Sequence, residues 1–117
     1  MNAKSPGDYA RIRLLEEIRS KGKEWEVLAP LYGVTNPDPP WKTSLVGICE
    51  SLSDSGALPS LERRHAEDEL KDSVYGEVPS PESELLALVH ILLSRKLVTE
   101  DDLANRMRAV RARVEAL

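Results

Sequence analysis

The sequence predicts an all-α fold, and two observations indicate it. Aromatic residues make up 4% of the 117 residues and Phe is absent, so a core has to be built from Leu, Val, Ile and Ala. That composition favours helices over sheets. Apolar residues recur at spacings of three and four, and no segment shows the period of two that marks a half-buried strand. We therefore expect a small irregular domain of four to five helices with an extended proline-rich linker.

The first 40 residues are predicted to hold an N-terminal helix and this linker. A narrow apolar stripe predicts a helix over residues 8–21, which Gly22 is placed to end. A short helical segment is expected over residues 24–31. Residues 32–40 contain three prolines in four positions, which excludes a regular helix or an inner strand. We interpret them as the linker between this unit and residues 41–117.

Two helices are expected in the first half of the second unit. The helix over residues 41–52 has an apolar face of five residues: Trp41, Leu45, Ile48, Cys49 and Leu52. Gly56 is expected to end it. Ser60 is placed to cap a helix over residues 60–73, whose apolar residues are few: Leu61, Ala66 and Leu70.

Two further helices follow a loop over residues 74–81. Ser80 is expected to cap the first, with Pro81 in its first turn. Residues 84–96 are rich in Leu, Val and Ile on more than one stripe, so this helix should be central. The last helix is expected to begin at Thr99, and acidic residues follow Thr99 in its first turn. Its apolar stripe is Leu103, Met107, Val110 and Val114.

Charge and cysteine content limit the classes of function. The formal net charge of −4 argues against a general binder of nucleic acid or anionic membranes. A single cysteine, Cys49, excludes an internal disulfide and fits a reducing compartment. Residues 1–7 lack the apolar segment of a signal peptide, and the longest apolar run, residues 85–93, is too short to span a bilayer. We expect a cytoplasmic protein.

No catalytic or metal-binding motif stands out. Cys49 is interpreted as a buried structural thiol, since reactive thiols lie in electropositive, partly exposed surroundings. His90 is expected at the edge of the core. The last helix carries four arginines, which form either a basic binding strip or, as we favour, a solvated face that matches the C-terminal end of the helix dipole: Arg106, Arg108, Arg111 and Arg113.

The segment GALPSLERRHAEDEL, residues 56–70, places basic residues where a helix usually favours acidic ones. Arg63, Arg64 and His65 fall near the start of a predicted helix, where the dipole favours acids instead. Either they are solvated, or one arginine is directed at an anionic partner. From composition and motifs alone, the chain is expected to be a subunit or a binding module rather than an enzyme by itself.

Residues 41–113 resemble the helical N-terminal region of the nitrile hydratase β subunit, and also the β subunit of thiocyanate hydrolase. The resemblance rests on three segments in order: PWKTSLVGICESLSDSG, LPSLERRHAE and LLALVHILLSRKLVTEDDLANRMRAVRARV. The aromatic residues that usually open the leucine-rich helix of the family are replaced here by SPESE, residues 80–84. Packing against the partner at that point is therefore expected to differ.

The resemblance implies a split architecture. The family's β subunit usually continues into a β-barrel, whereas this sequence stops at Leu117. We expect the barrel on a separate polypeptide, as in thiocyanate hydrolase and the three-subunit nitrile hydratase of toyocamycin biosynthesis. The implied partners are a metal-bearing α subunit and a β-barrel-type subunit, with no role for nucleic acid or membrane, and the chain is not expected to be active alone.

The resemblance also implies a mechanism. In this family, cobalt(III) or iron(III) is held by α-subunit cysteines, two of them oxidised to sulfenic and sulfinic acids. A β-subunit arginine donates hydrogen bonds to those oxygens, and alignment on Trp41 and Gly56 places it at Arg64. The metal acts as a Lewis acid on the nitrile or activates an oxygen nucleophile, and the product is an amide. Arg63 should point about 100° away round the helix, and it and His65 are expected to be solvated or at an interface rim.

Three other functions stay open. The chain can serve in a thiocyanate hydrolase, because the assembled pocket selects the substrate. It can be a nitrile hydratase activator, a metallochaperone-like accessory protein that resembles the same helical region. It can also be an unrelated helical adaptor. In none of these does the chain itself bind a cofactor.

Overall fold

The computed structural model describes residues 10–22, 24–35 and 38–116, and these residues form helices without a strand. The six helices are α1 (Arg13–Arg19), α2 (Trp25–Leu31), α3 (Lys42–Asp54), α4 (Ser60–Asp72), α5 (Glu82–Ser94) and α6 (Glu100–Glu115). The all-α prediction is confirmed. The count exceeds four to five because the short segment before the linker forms a helix of its own.

Most of the predicted helix starts are confirmed. Helices α2, α3, α4 and α6 begin within one residue of their predicted starts. Helix α1 is shorter than the predicted 8–21, and residues 8 and 9 lie outside the described part. In the linker, residues 32–35 and 38–40 are described and are not helical. No helix in the described ranges is long and apolar enough to cross a bilayer.

Helix α5 forms the centre of the core, as its sequence predicted. Six of its residues are buried: Ser83, Leu86, Ala87, Leu88, His90 and Ile91. Leu15 of α1, Leu45 of α3 and Leu70 of α4 belong to the same cluster. The N-terminal helix therefore shares one hydrophobic core with the helices of residues 41–117.

Val74 and Tyr75 follow α4 directly and are buried, although the sequence predicted only a loop there. The Tyr75 amide donates to the carbonyl of Leu70 over 2.9 Å, which turns the chain back onto the core. Arg19 of α1 donates to the Val74 carbonyl over 2.7 Å, and its guanidinium lies 5.8 Å from the centre of the Tyr75 ring. This turn is thus a packed part of the structure that links α1 to α4.

Two of the three predicted N-caps are wrong. Pro59 and Pro81 occupy the cap positions of α4 and α5, and neither helix has a side-chain cap. Ser60 is the first residue of α4. Ser80 instead donates from its hydroxyl to the Glu84 carboxylate over 3.2 Å.

The third N-cap and one helix end agree with the sequence. Thr99 Oγ1 accepts a hydrogen bond from the Asp102 amide over 3.1 Å, so the predicted cap of α6 is confirmed. Gly56 follows α3 with φ of 78°, the left-handed conformation that glycine adopts at least cost after a helix.

Several residues of the predicted apolar faces are exposed. Ile48 lies at the edge of the α3 face, and no neighbouring element covers it. Leu61 is 69% exposed in the first turn of α4. Helix α6 buries none of its residues, so its stripe faces solvent rather than the core.

Candidate functional site

The first turns of α4 lie beside α3 across a groove of about 520 Å³. It is lined by residues of both helices: Val46, Cys49, Glu50, Ser53, Asp54, Ser60, Arg63 and Arg64. The turn that joins the helices is fixed by the buried Leu58, whose amide donates to the Leu52 carbonyl over 3.1 Å. Glu62 pairs with Arg95 over 2.9 Å, which ties the start of α4 to the end of α5.

Arg63 is bound to its own helix. Its Nη1 donates to both carboxylate oxygens of Glu67 over 3.1 Å, and the two side chains are 15% and 12% exposed. Arg63 is therefore not solvated as expected, and its place at an interface rim stays a prediction. Residues four apart are neighbours on a helix, so the sequence allows this pair, but it equally allows Arg64 to pair with Asp68. Arg63 Nε is buried and has no hydrogen-bond partner among the described residues.

Arg64 differs from Arg63 in its exposure and in its lack of an ion pair. It is exposed, and it forms no hydrogen bond or ion pair with the described part of the chain. Leu61 lies three residues earlier and hence on the same helix face, where it is also exposed. The groove thus presents a guanidinium with all five donors available, beside an uncovered leucine.

Cys49 is half-buried in the groove rather than fully buried, and it makes no disulfide. Burial raises the pKa of its thiol; Arg63 opposes the shift, while Glu67 and Glu84 add to it. The thiol is therefore protonated at neutral pH and is a poor nucleophile. That state agrees with the structural role expected from the sequence.

The two histidines lie in different surroundings. His65 is exposed on α4, as expected. His90 is 2% exposed and lies inside the core rather than at its edge. Its Nδ1 is 2.7 Å from the Tyr75 hydroxyl, and the two rings meet edge to face at 5.6 Å between centroids. Sequence spacing could not reveal this pair, because Tyr75 lies in a turn outside any periodic segment.

The groove contains acids as well as arginines. Glu50 and Asp54 line its α3 side, and Glu67 balances Arg63. Within the described ranges, no group of three or more His, Cys, Asp or Glu side chains is arranged to hold a metal ion. What the groove can supply is a fork of hydrogen-bond donors from Arg64 to an anion carried by another molecule.

Comparison with known proteins returned no matching family, no similar curated protein and no similar solved structure. The resemblance to the nitrile hydratase β subunit therefore rests on the three sequence segments alone and stays a prediction.

Proposed function

We propose that this chain is a helical subunit of a nitrile hydratase complex, which binds the metal-bearing α subunit and completes an active site that hydrates a nitrile to an amide. The observation that carries the proposal is the contrast within the arginine pair. The alignment on Trp41 and Gly56 selects Arg64, and Arg64 is the member of the pair whose guanidinium is exposed and has no partner among residues 10–22, 24–35 and 38–116. Arg63, which the alignment does not select, is bound to Glu67.

The surroundings of Arg64 support contact with a second chain. Leu61 on the same face of α4 is exposed, as is Val46 of α3 on the groove wall. Two exposed apolar side chains lie beside an arginine that has no partner in the described part of the chain. This arrangement suits an interface in which the apolar groups are buried and the arginine binds an anion. Two contacts hold the backbone that carries Arg64: the hydrogen bond from the Leu58 amide to the Leu52 carbonyl, and the Glu62–Arg95 ion pair.

The role proposed for Arg64 is to donate hydrogen bonds to oxidised cysteine oxygens of the α subunit. A guanidinium suits this role because it is planar, offers several donors and stays charged at any working pH. Cobalt or iron in the α subunit would supply the Lewis acid that polarises the nitrile. Arg64 would fix the orientation of the oxygens around that site, and Leu61 and Val46 would exclude water from the contact.

The test is co-expression of this chain with the products of its neighbouring genes, followed by a nitrile-hydration assay and metal analysis. We expect Arg64→Ala to leave the complex assembled and to lower kcat about 10–100-fold, the range for groups that hold metal ligands. Arg64→Lys should recover only part of the loss, because lysine keeps the charge but not the fork.

Arg108→Ala is the matched control, since it removes one exposed arginine from α6 and should leave kcat unchanged. An unchanged kcat for Arg64→Ala in a purified, metal-loaded complex would contradict the site. A stable complex that hydrolyses thiocyanate instead would keep the role of Arg64 and change the substrate. Binding to the α subunit that is lost after metal loading would identify an activator.

A further inference from the structure

Helix α6 carries an apolar stripe that no other part of the described chain covers. Its members are Leu103, Met107, Val110 and Val114, of which the last three are exposed. Their spacings of four, three and four residues are those of the inner positions of a coiled coil over two heptads. The stripe is only one residue wide on each turn and lacks aromatic residues, which suits another helix better than a membrane surface.

The charges beside the stripe select the partner. In the heptad that the stripe defines, the flanking positions hold Ala104, Arg106, Arg111 and Arg113. Nothing in the described ranges forms an ion pair with these three arginines. Charged flanking residues set partner choice in helix pairs, and like charges across the seam oppose pairing. The flanks of α6 therefore favour a partner with acidic flanks.

A second copy of this chain does not meet that requirement. In a parallel pair of α6 helices, Arg106 would face Arg111 of the other copy. In the antiparallel register that matches the two stripes, Arg106 would face Arg113. Both arrangements place arginine beside arginine, which is unfavourable.

We infer that α6 is a docking helix for an amphipathic helix of another protein, whose apolar seam is flanked by Glu or Asp. The surface lies apart from the α3–α4 groove in sequence and does not use Arg64. It assigns a role to the stripe and to the three flanking arginines, which form no ion pair with the residues that the structure describes. The inference holds whether or not the chain belongs to a nitrile hydratase.

The test uses the full chain and two synthetic helical peptides of three heptads, both with leucine at the inner positions. One peptide has Glu at the flanking positions and the other has Lys. We expect the Glu peptide to bind with a Kd on the order of 10–100 µM, because few apolar side chains are buried. The Lys peptide should bind at least tenfold more weakly, and added salt should reduce the difference.

Two variants locate the binding. The double variant Arg106→Glu with Arg113→Glu should weaken binding of the Glu peptide about tenfold and strengthen binding of the Lys peptide. Val110→Asp should abolish the binding of both peptides. Arg108→Glu is the matched control, because Arg108 lies on the outer face, where it donates to Asn105. It should leave both affinities within about twofold.

Equal affinity for the two peptides, or no binding to either, would overturn the inference. So would an unchanged Kd for the Arg106 and Arg113 double variant, whose positions are exposed and should not affect folding. A final measurement uses vesicles that contain anionic lipids. If the chain binds these vesicles more strongly than the Glu peptide, and the same double variant loses this binding, the surface would be assigned to a membrane instead.

Discussion

Helices α5 and α6 follow one another in the chain and both carry apolar stripes, yet they have opposite environments. Helix α5 buries six of its 13 residues, and α6 buries none of its 16. Leu88 of α5 is enclosed, whereas Val110 of α6 is exposed. An apolar stripe thus predicts which face of a helix can pack against another surface. It does not show whether the same chain provides that surface.

The difference follows from what flanks the two stripes. In α5 the apolar residues continue round most of the helix, so several neighbours are needed to cover them. In α6 a single row of apolar residues lies between arginines, which stay solvated at little cost when the row is left open. Lys96 lies between these two helices and, although it is not a glycine, has the left-handed conformation with φ of 59°.

The largest expected effect is a cavity in α5. Leu88→Ala should lower the free energy of unfolding by about 3 kcal/mol, because a buried leucine loses its contacts and leaves a void. The matched change in α6, Val110→Ala, should stay within about 0.5 kcal/mol, since the side chain is exposed and alanine favours helix. Urea titration followed by circular dichroism measures both. Similar losses for the two variants would mean that α6 packs on the body of the protein.

The second effect concerns the Tyr75 hydroxyl, which forms a hydrogen bond with Nδ1 of His90 in α5. Tyr75→Phe should lower the free energy of unfolding by about 1–2 kcal/mol, because a buried hydrogen bond is lost while the ring is kept. Urea titration at pH 7 measures the change. A loss below about 0.3 kcal/mol would show that this bond does not stabilise the core.

The same tyrosine makes stability depend on pH. Burial raises the Tyr75 pKa well above its ordinary value of about 10, and Glu16 adds to the shift while Arg19 and Arg11 oppose it. Above about pH 10 the unfolded chain loses this proton while the folded chain keeps it, so stability falls as pH rises. The fall from pH 10 to 11 should be steeper in the native sequence than in Tyr75→Phe. Parallel curves for the two proteins would contradict the burial of the hydroxyl.

The smallest expected change in stability comes from substituting Lys96, which lies between α5 and α6. Lys96→Gly should raise the free energy of unfolding by about 0.5–1 kcal/mol, because a side chain in the left-handed region carries a steric cost that glycine avoids. Lys96→Ala is the control and should bring no such gain, since alanine keeps the β-carbon. Thermal unfolding of the three proteins compares them. Equal gains from Gly and Ala would point to the lysine charge rather than the backbone.

Local rules predicted much of the fold. The all-α class, the central position of α5 and the cap at Thr99 all follow from residue spacing and capping chemistry. Residues such as Leu61, Ile48 and the α6 stripe could not be placed, because periodicity reports a face and not what covers it. The burial of Tyr75 was also missed, since it depends on a turn that brings a single aromatic back to α5.

For the candidate site, the sequence indicates which arginines to consider, but not which of them is exposed and which is held in an ion pair. Arg63 and Arg64 are adjacent and identical in type, and only the structure shows that Arg63 is held by Glu67 while Arg64 is exposed. The i to i+4 spacing does not distinguish the two arginines, because Glu67 follows Arg63 and Asp68 follows Arg64 at the same distance in sequence. The exposure of Leu61 beside Arg64 could not be predicted, because periodicity does not show which apolar residues a neighbouring helix covers.

The lack of buried residues in α6 has a consequence for amide hydrogen exchange. Amides of α5 lie in the core and should exchange only when the whole domain opens, whereas those of α6 can exchange by local opening. A partner that docks on α6 would slow exchange in residues 100–115 and leave α5 unchanged. A partner that docks on the α3–α4 groove would instead protect the first turns of α4. The two surfaces can therefore be distinguished in a single exchange experiment on the unmodified protein.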